Sequence, residues 1–308
     1  MFDANQVLID AFIDHAKGMF RRLYPELEPH LEAGLDRAAR TALTILRRCD
    51  CPYHDLEHTL LVTEAGMDIL QGRQLYRGDL PPVTWLHAVV ALLFHDIGYL
   101  RGLLRDDREG AYLADATGRR VAPPSGTTDA YLMPYHVARG SMFVMERFAA
   151  DPVIDGAVVA TYVEMTRFPV PEEAFYQQID SVGALVRAAD LIGQMGDPGY
   201  TRKQSRLFAE FRETGEADRL GYGDASALHH DFPAFFYNQV YPYLPAALDY
   251  LQRTPDGGRW IANLAHHLGG DCLSGQPALS LPNVSPDELP GAGVAIAPGK
   301  PQIAVSNH

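Results

Sequence analysis

The chain has few cysteines, no excess of basic residues and no long apolar run. It contains three cysteines in 308 residues, and Cys49 and Cys51 are too close in sequence for an ordinary bridge, so a disulfide framework is not indicated. That composition favours a reducing compartment. Residues 1–10 lack the basic-then-apolar pattern of a signal peptide, and no apolar run approaches the length of a membrane span. We therefore expect a cytoplasmic protein.

The charge balance restricts the partners. The formal net charge is -13, with 39 acidic and 26 basic residues. This excess argues against binding to a nucleic-acid polymer or an anionic membrane, because both would repel the protein. A small phosphorylated substrate stays compatible, since a bound dication and local arginines can reverse the field inside a cleft. A homodimer is left open by the sequence.

Apolar residues recur at helical spacing along most of the chain, and strand alternation is scarce. The sequence predicts an all-α fold, a compact multi-helix bundle with a Pro/Gly-rich C-terminal extension. Helical spacing covers residues 7–20, 31–46, 60–70, 83–97, 138–148, 153–165, 181–194, 201–211, 235–251 and 259–268.

Two regions interrupt the helical pattern. Residues 104–133 are polar and contain glycine and proline. They directly follow the predicted helix at residues 83–97, so they could cover a site at its end. Residues 273–308 hold six prolines and four glycines, which predicts a flexible tail. We therefore expect one helical domain over residues 1–272, with its core at 50–255.

The adjacent pair His95-Asp96 stands inside an apolar helical run. Burying such a pair costs free energy unless a partner compensates its charge, and a divalent metal would do so. His58 upstream and Asp190 downstream complete a set of imidazoles and carboxylates. Such donors suit Zn, Mn, Fe or Mg. A single buried histidine is more often a hydrogen-bonded core residue, but four donors in apolar helical contexts indicate a site for one or two metal ions.

His54 precedes His58 by four residues. On a helix the two side chains would project from one face, so His54 would lie near a phosphate bound at the metal. An imidazole there could protonate the leaving oxygen as a general acid. Asp55 or Glu57 could orient it or keep it charged.

These motifs resemble a known family. The pattern Tyr53-His54-x-x-x-His58, the run His95-Asp96-Ile97-Gly98 and the late Asp190 are similar to the HD superfamily of metal-dependent phosphohydrolases. The resemblance covers about residues 50–255 and is closest to the class I cyclic-nucleotide phosphodiesterases. Residues 163–168 resemble the family's TDMSKH segment, residues 189–198 its ADLSNPTKP segment, and residues 210–221 its EFxxQGDxExxxG segment.

The resemblance implies a division of roles. His58, His95, Asp96 and Asp190 would bind the first metal, and Asp96 would bridge to a second. His54 would be the general acid. A metal-activated hydroxide would attack the phosphodiester of a cyclic nucleotide or related small nucleotide.

Two further residues follow from the same comparison. Glu164 would take the place of the acidic residue that holds metal-bound water. His136 resembles a mid-chain family histidine and would serve the second metal directly or through water. The ordinary alternatives are a solvated helix acid for Glu164 and a helix-capping histidine for His136.

Several family positions differ here. Tyr99 replaces the second histidine of HDxxH, Asp55 replaces an asparagine, and Phe232 falls at the position of the purine-binding glutamine. These differences weaken the prediction of which nucleobase is bound more than they weaken the prediction of phosphodiester hydrolysis.

Substrate contacts are therefore assigned by residue type. Phe235 could supply an aromatic face for a base. Gln194, Asn238 and Gln239 could replace the missing amide, or be ordinary surface residues.

Two other classes stay open from sequence. Some HD proteins hold a di-iron centre and use oxygen to oxidise alcohols or phosphonates. A noncatalytic metal-binding HD protein is the third alternative, although the complete ligand set and His54 argue against it.

Overall fold

The computed structural model describes residues 2–26 and 28–269. The predicted flexible tail, residues 273–308, lies outside this range, and the domain boundary proposed at 272 stays a prediction. The described residues are 66% helical and include only a two-stranded sheet, which confirms the all-α fold. The helices α1 to α12 span Ala4–Leu23, Pro29–Leu46, Leu56–Arg77, Pro82–Phe94, His136–Arg147, Gly156–Glu164, Val182–Met195, Tyr200–Thr214, Glu216–Leu220, Ala225–Phe235, Pro245–Leu251 and Gly257–His267.

Shorter elements connect these helices. Short 3-10 helices span Ile97–Tyr99, Asp129–Tyr135 and Tyr241–Tyr243, and a π-helical turn spans Phe236–Val240. Two short strands, β1 (Tyr112–Leu113) and β2 (Arg120–Val121), pair antiparallel with Tyr112 opposite Val121.

Side-chain caps fix where the central helices begin. The Asp55 carboxylate accepts the His58 N–H at 3.0 Å and starts α3, and the Ser181 hydroxyl accepts the Ala184 N–H at 3.2 Å and starts α7. Each cap satisfies a backbone N–H that has no partner within the helix. Pro82 stands in the first turn of α4, where its missing N–H is not needed.

The core is built around α4. All ten residues from 85 to 94 are buried, as expected for a helix that is apolar on every side. Helices α2, α3, α6 and α7 surround it. Of the helices in the described ranges, none is both long and apolar enough to span a bilayer.

Helices α3 and α7 approach each other closely because glycine lies at their contact. A Cβ added to Gly193 would lie 2.5 Å from the Cα of Val62. No larger residue fits there without moving one of the helices apart. This contact matters for function because α3 and α7 each supply a candidate metal ligand.

The predicted helix 235–251 is interrupted in the structure. Helix α10 ends at Phe235, a π-helical turn and a 3-10 turn follow, and α11 starts at Pro245. Pro242 and Pro245 both lack the N–H that a continuous helix would need, and their rings clash with the preceding turn. Helix α10 itself, from Ala225, was not predicted.

The region 104–133 folds against the body of the protein rather than forming an open loop. Asp107 accepts the Leu113 N–H at 2.8 Å and pairs with the buried Arg139 at 3.0 Å. Asp129 accepts a 2.7 Å hydrogen bond from Arg101. Whether this region closes over a substrate stays a prediction.

We predict that Gly193→Ala destabilises the protein by about 1–3 kcal/mol, because the added methyl group overpacks the contact between α3 and α7. The measurement is urea unfolding followed by circular dichroism. Gly18→Ala on α1 is the matched control, since its nearest neighbour would be the flexible Arg22 guanidinium at 3.5 Å. The control should gain about 0.5–1 kcal/mol from reduced chain entropy. Equal effects of the two substitutions would contradict the close helix contact.

Candidate metal centre

Three core helices bring the four predicted ligands together. His58 lies in the first turn of α3, and Asp190 lies on α7. Helix α4 ends at Phe94, one residue before His95 and two before Asp96. The pair therefore stands at the C-terminal end of a helix, where the helix dipole favours a positive charge.

The donor atoms of these side chains converge. The Asp96 Oδ2 lies 3.2 Å from the His58 Nε2 and 3.1 Å from the His95 Nε2. The Asp190 Oδ1 lies 3.7 Å from the His58 Nε2 and 3.5 Å from the His95 Nε2. Ligands about 2.0–2.2 Å from a shared ion stand roughly 3–3.6 Å from each other in tetrahedral or octahedral geometry. The observed spacing fits that requirement.

Hydrogen bonding shows which atoms carry free lone pairs. The His95 Nδ1 lies 2.7 Å from the Leu92 carbonyl, which only a protonated nitrogen can contact favourably. In the neutral imidazole the Nε2 is then an acceptor, and it faces the His58 Nε2 at 3.4 Å. The Asp96 Oδ2 is buried without a hydrogen-bond partner among the described residues. A cation at the convergence point would satisfy all of these atoms.

The titration behaviour of the cluster agrees with this need for positive charge. Burial disfavours the imidazolium of His95, yet the charges of Asp96 and Asp190 outweigh burial and raise its pKa well above the usual value. Burial also opposes ionisation of Asp190, but the charge of His95 and the proximity of both imidazoles lower its pKa to about 2. The residues present thus fit a divalent cation.

The second oxygen of Asp96 faces another histidine. Its Oδ1 lies 3.7 Å from the His136 Nε2. The His136 Nδ1 lies 2.6 Å from the Met133 carbonyl, so the Nε2 is the nitrogen left for a ligand. Burial lowers the pKa of His136, which keeps it in the neutral form that binds metals. Asp96 therefore points one oxygen toward His58 and His95 and the other toward His136, and its role as a bridge between two cations stays a prediction.

His54 is held by a carboxylate that the sequence analysis did not assign. The buried Glu210 on α8 lies 2.5 Å from the His54 Nδ1. The other oxygen of Glu210 accepts the Tyr53 N–H at 2.6 Å and the His54 N–H at 3.1 Å. Burial alone would lower the pKa of His54, but the charge and hydrogen bond of Glu210 raise it to about 9. The carboxylate of Glu210 therefore favours the protonated form of His54.

The expectation that Asp55 or Glu57 orients His54 is wrong. Asp55 caps α3 through the His58 N–H, and Glu57 pairs with Lys203 at 3.0 Å. His54 also lies before α3 rather than on it, because the cap starts the helix at Leu56. The His54 and His58 rings nevertheless lie 5.2 Å apart. Glu210 belongs to a segment that resembled the family, but nothing in the sequence shows which acid of α8 points inward.

The other predicted catalytic residue, Glu164, is engaged elsewhere. Its carboxylate accepts hydrogen bonds from Arg167 at 2.6 Å and from the Tyr176 hydroxyl at 2.7 Å. In residues 2–26 and 28–269 it makes no hydrogen bond or ion pair with the metal cluster. A role in holding metal-bound water stays a prediction.

The predicted substrate contacts are not brought into the cluster. Phe235 is half-buried and packs edge-on against Phe168, with ring centroids 5.8 Å apart. Gln194 is half-buried on α7, one turn beyond Asp190. Among the described residues, neither side chain forms a hydrogen bond or ring contact with the ligands. The resemblance to the class I phosphodiesterases puts Phe232 in place of their purine-binding glutamine. In the structure Phe232 is buried against Tyr200 and so belongs to the core.

The cluster is partly accessible to solvent. The side chains of Asp190 and His136 are 21% and 19% exposed, and that of His54 is 12% exposed, whereas His95 is fully buried. Asp190, His136 and His54 are therefore the side chains through which a solute could contact the cluster.

The chain belongs to the Npun_R2479-like family, whose model matches residues 2–269. No curated protein and no solved structure matches the chain. The matched range contains every residue of the cluster as well as Glu210.

We predict that Mn²⁺ raises the melting temperature of the wild-type protein, because a ligand that binds only the folded state stabilises it. Asp96→Ala should abolish the increase, since it removes the carboxylate common to both cation positions. The measurement is differential scanning fluorimetry after chelator treatment. Asp68→Asn is the control, because Asp68 is equally buried but bonds to Trp260 at 2.9 Å, away from the cluster. A Mn²⁺ response in Asp96→Ala equal to that of wild type would rule out this site.

Proposed function

We propose that this protein is a metal-dependent phosphohydrolase that cleaves a phosphodiester in a cyclic nucleotide or a related small nucleotide. The observation that carries the proposal is the pairing of two features. A donor set for a divalent ion lies beside a histidine whose ring is held by the buried carboxylate of Glu210. A cation and a proton donor each accelerate hydrolysis of a phosphodiester.

His58, His95, Asp96 and Asp190 would hold one divalent ion, and His136 with Asp96 would hold another. A divalent ion there supplies a Lewis acid that neutralises phosphate charge and acidifies the attacking water. The native ion would be Zn, Mn, Mg or Fe, the ions that suit a mixture of imidazole and carboxylate ligands.

His54 would donate its proton to the leaving oxygen of the substrate. Glu210 contacts the Nδ1, which leaves the Nε2 as the nitrogen that can face the substrate. A ring nitrogen of His54 lies within 4.8 Å of ligand atoms of His58 and Asp96. The carboxylate of Glu210 keeps the imidazole charged between turnovers, so the proton would be ready when the phosphorus–oxygen bond breaks.

The proton on His54 favours hydrolysis over the oxygenase alternative. A leaving alkoxide requires a proton at the moment it departs, and a histidine with a raised pKa supplies one. Phe235, which packs against Phe168, stays our candidate for an aromatic contact with the substrate. We also assign the protein to the cytoplasm, because Cys49 and Cys51 are both free thiols.

The test is a hydrolysis screen with Mn²⁺, Zn²⁺, Mg²⁺ or Fe²⁺ added to chelator-treated protein. The substrates are cyclic mononucleotides, cyclic dinucleotides and bis(p-nitrophenyl) phosphate. We expect metal-dependent turnover of at least one diester, and its loss in His95→Ala and Asp96→Ala. Stoichiometric metal binding without turnover of any diester would contradict the proposal. Oxygen consumption by the iron-loaded protein would favour the oxygenase.

We predict that His54→Ala keeps the metal but lowers kcat for a poor leaving group by about 10²–10⁴, the usual contribution of a general acid. Hydrolysis of an aryl diester should fall much less, because a nitrophenolate needs little protonation. The measurements are metal analysis and kcat on both substrate types. Equal losses on the two substrates would argue against proton donation by His54.

We predict that Glu210→Gln shifts the alkaline limb of the pH–rate profile to lower pH. The limb reports loss of the His54 proton, and the pKa of a histidine falls when a neighbouring negative charge is removed. As the pH rises, the activity of Glu210→Gln should therefore fall at a lower pH than that of the wild type. Glu213→Gln is the matched control, one turn further along α8, because Glu213 binds the Thr128 N–H at 2.8 Å rather than His54. A shift of the same size in the control would contradict the assignment.

A further inference from the structure

Tyr99 packs against two imidazoles of the cluster. Its ring stacks on His54, with centroids 4.8 Å apart and planes 16° apart. It also stacks on His136, with centroids 4.5 Å apart and planes 21° apart. One aromatic ring therefore contacts both the general-acid candidate and the histidine proposed for the second metal.

The backbone around Tyr99 is rigid. The buried Arg139 donates to the Gly98 carbonyl and to the Leu100 carbonyl, each at 2.7 Å, and so holds the chain on both sides of Tyr99. Gly98 is pressed against α5, since a Cβ there would lie 1.9 Å from the His136 carbonyl oxygen. The Tyr99 ring is 2% exposed and has little room to move.

Each imidazole already has one anchored nitrogen. Glu210 holds the Nδ1 of His54, and the Met133 carbonyl holds the Nδ1 of His136. One hydrogen bond still allows a ring to tilt about that contact. A flat surface against the ring face removes this freedom, and the aromatic ring of Tyr99 provides that surface to both histidines.

We infer that Tyr99 is a positioning residue that holds His54 and His136 in the orientations needed for proton donation and for the second cation. The catalytic half of this inference rests on the proposed function, and the metal half does not. Tyr99 acts through the two histidines, and its aromatic faces rather than its hydroxyl perform this role.

The test compares Tyr99→Phe, which keeps both faces, with Tyr99→Leu, which removes them. Mn²⁺ binding to the full-length chelator-treated protein is measured by calorimetry, and kcat and KM are measured on bis(p-nitrophenyl) phosphate and on a cyclic nucleotide. Tyr99→Phe should keep wild-type values. Tyr99→Leu should weaken the weaker Mn²⁺ site and lower kcat on the cyclic nucleotide by about 10–100-fold each, the usual effect of losing a group that orients a ligand. KM should change much less.

Controls separate positioning from general destabilisation. Tyr24→Leu removes another buried tyrosine, which packs against Phe20 and Trp85 rather than against the cluster. It should lower the melting temperature but leave Mn²⁺ affinity and kcat unchanged. If Tyr99→Leu does not fold, Tyr99→Met gives the same comparison with a flexible side chain.

Two results would overturn the inference. Wild-type Mn²⁺ affinity and kcat in a folded Tyr99→Leu or Tyr99→Met would show that stacking is dispensable, and a loss in Tyr99→Phe equal to that in Tyr99→Leu would assign the role to the hydroxyl. A single Mn²⁺ site in the wild-type protein would overturn the part that concerns His136. If the wild type hydrolyses no diester, the proposed function fails, while the Mn²⁺ affinities of the variants still decide the role of Tyr99.

Discussion

The burial of the Asp96 carboxylate is the constraint on which the site depends. One of its oxygens has no hydrogen-bond partner among the described residues, and histidine nitrogens lie 3.1 and 3.2 Å from it. Such a group is costly in an apolar core unless a positive charge compensates it. The end of α4 and the close contact of α3 with α7 bring the side chains that could hold such a charge to one point. The packing of the core therefore also determines where the site lies.

Each histidine around Asp96 has a partner that sets its orientation. The Leu92 carbonyl holds His95, the Met133 carbonyl holds His136, and Glu210 holds His54. These partners differ in which ring nitrogen they leave available and in charge. A carbonyl at the Nδ1 leaves the Nε2 of His95 and of His136 as the nitrogen that a metal could bind, whereas the carboxylate of Glu210 favours the charged form of His54. The proposed role of each histidine thus agrees with the group behind it.

The sequence predicted the helical fold and the four converging ligands because both depend on local patterns. Apolar spacing marks helices, and a His-Asp pair in an apolar run marks a buried charge. What it did not predict depends on distant contacts. Glu210 is separated from His54 by 156 residues, and only the packing of α8 shows that it points inward.

Other differences have local physical causes that spacing alone does not reveal. Asp55 caps α3 and so leaves His54 off the helix, and Pro242 and Pro245 interrupt the expected helix after Phe235. Glu164 was assigned by resemblance, yet in the structure its carboxylate binds Arg167 and Tyr176. A segment-level resemblance cannot specify such side-chain partners.

The proposed metal ligands and the proposed general acid are held by different parts of the fold. His95 and Asp96 follow α4, whose residues 85–94 are all buried, so the positions of these two side chains tolerate little change. His54 is instead held by Glu210 on α8, which packs next to α10. Changes in α8 would therefore reposition the proposed general acid and leave His95 and Asp96 in place. Phe232 on α10 is buried in the core, so an aromatic contact with a base would have to come from another residue.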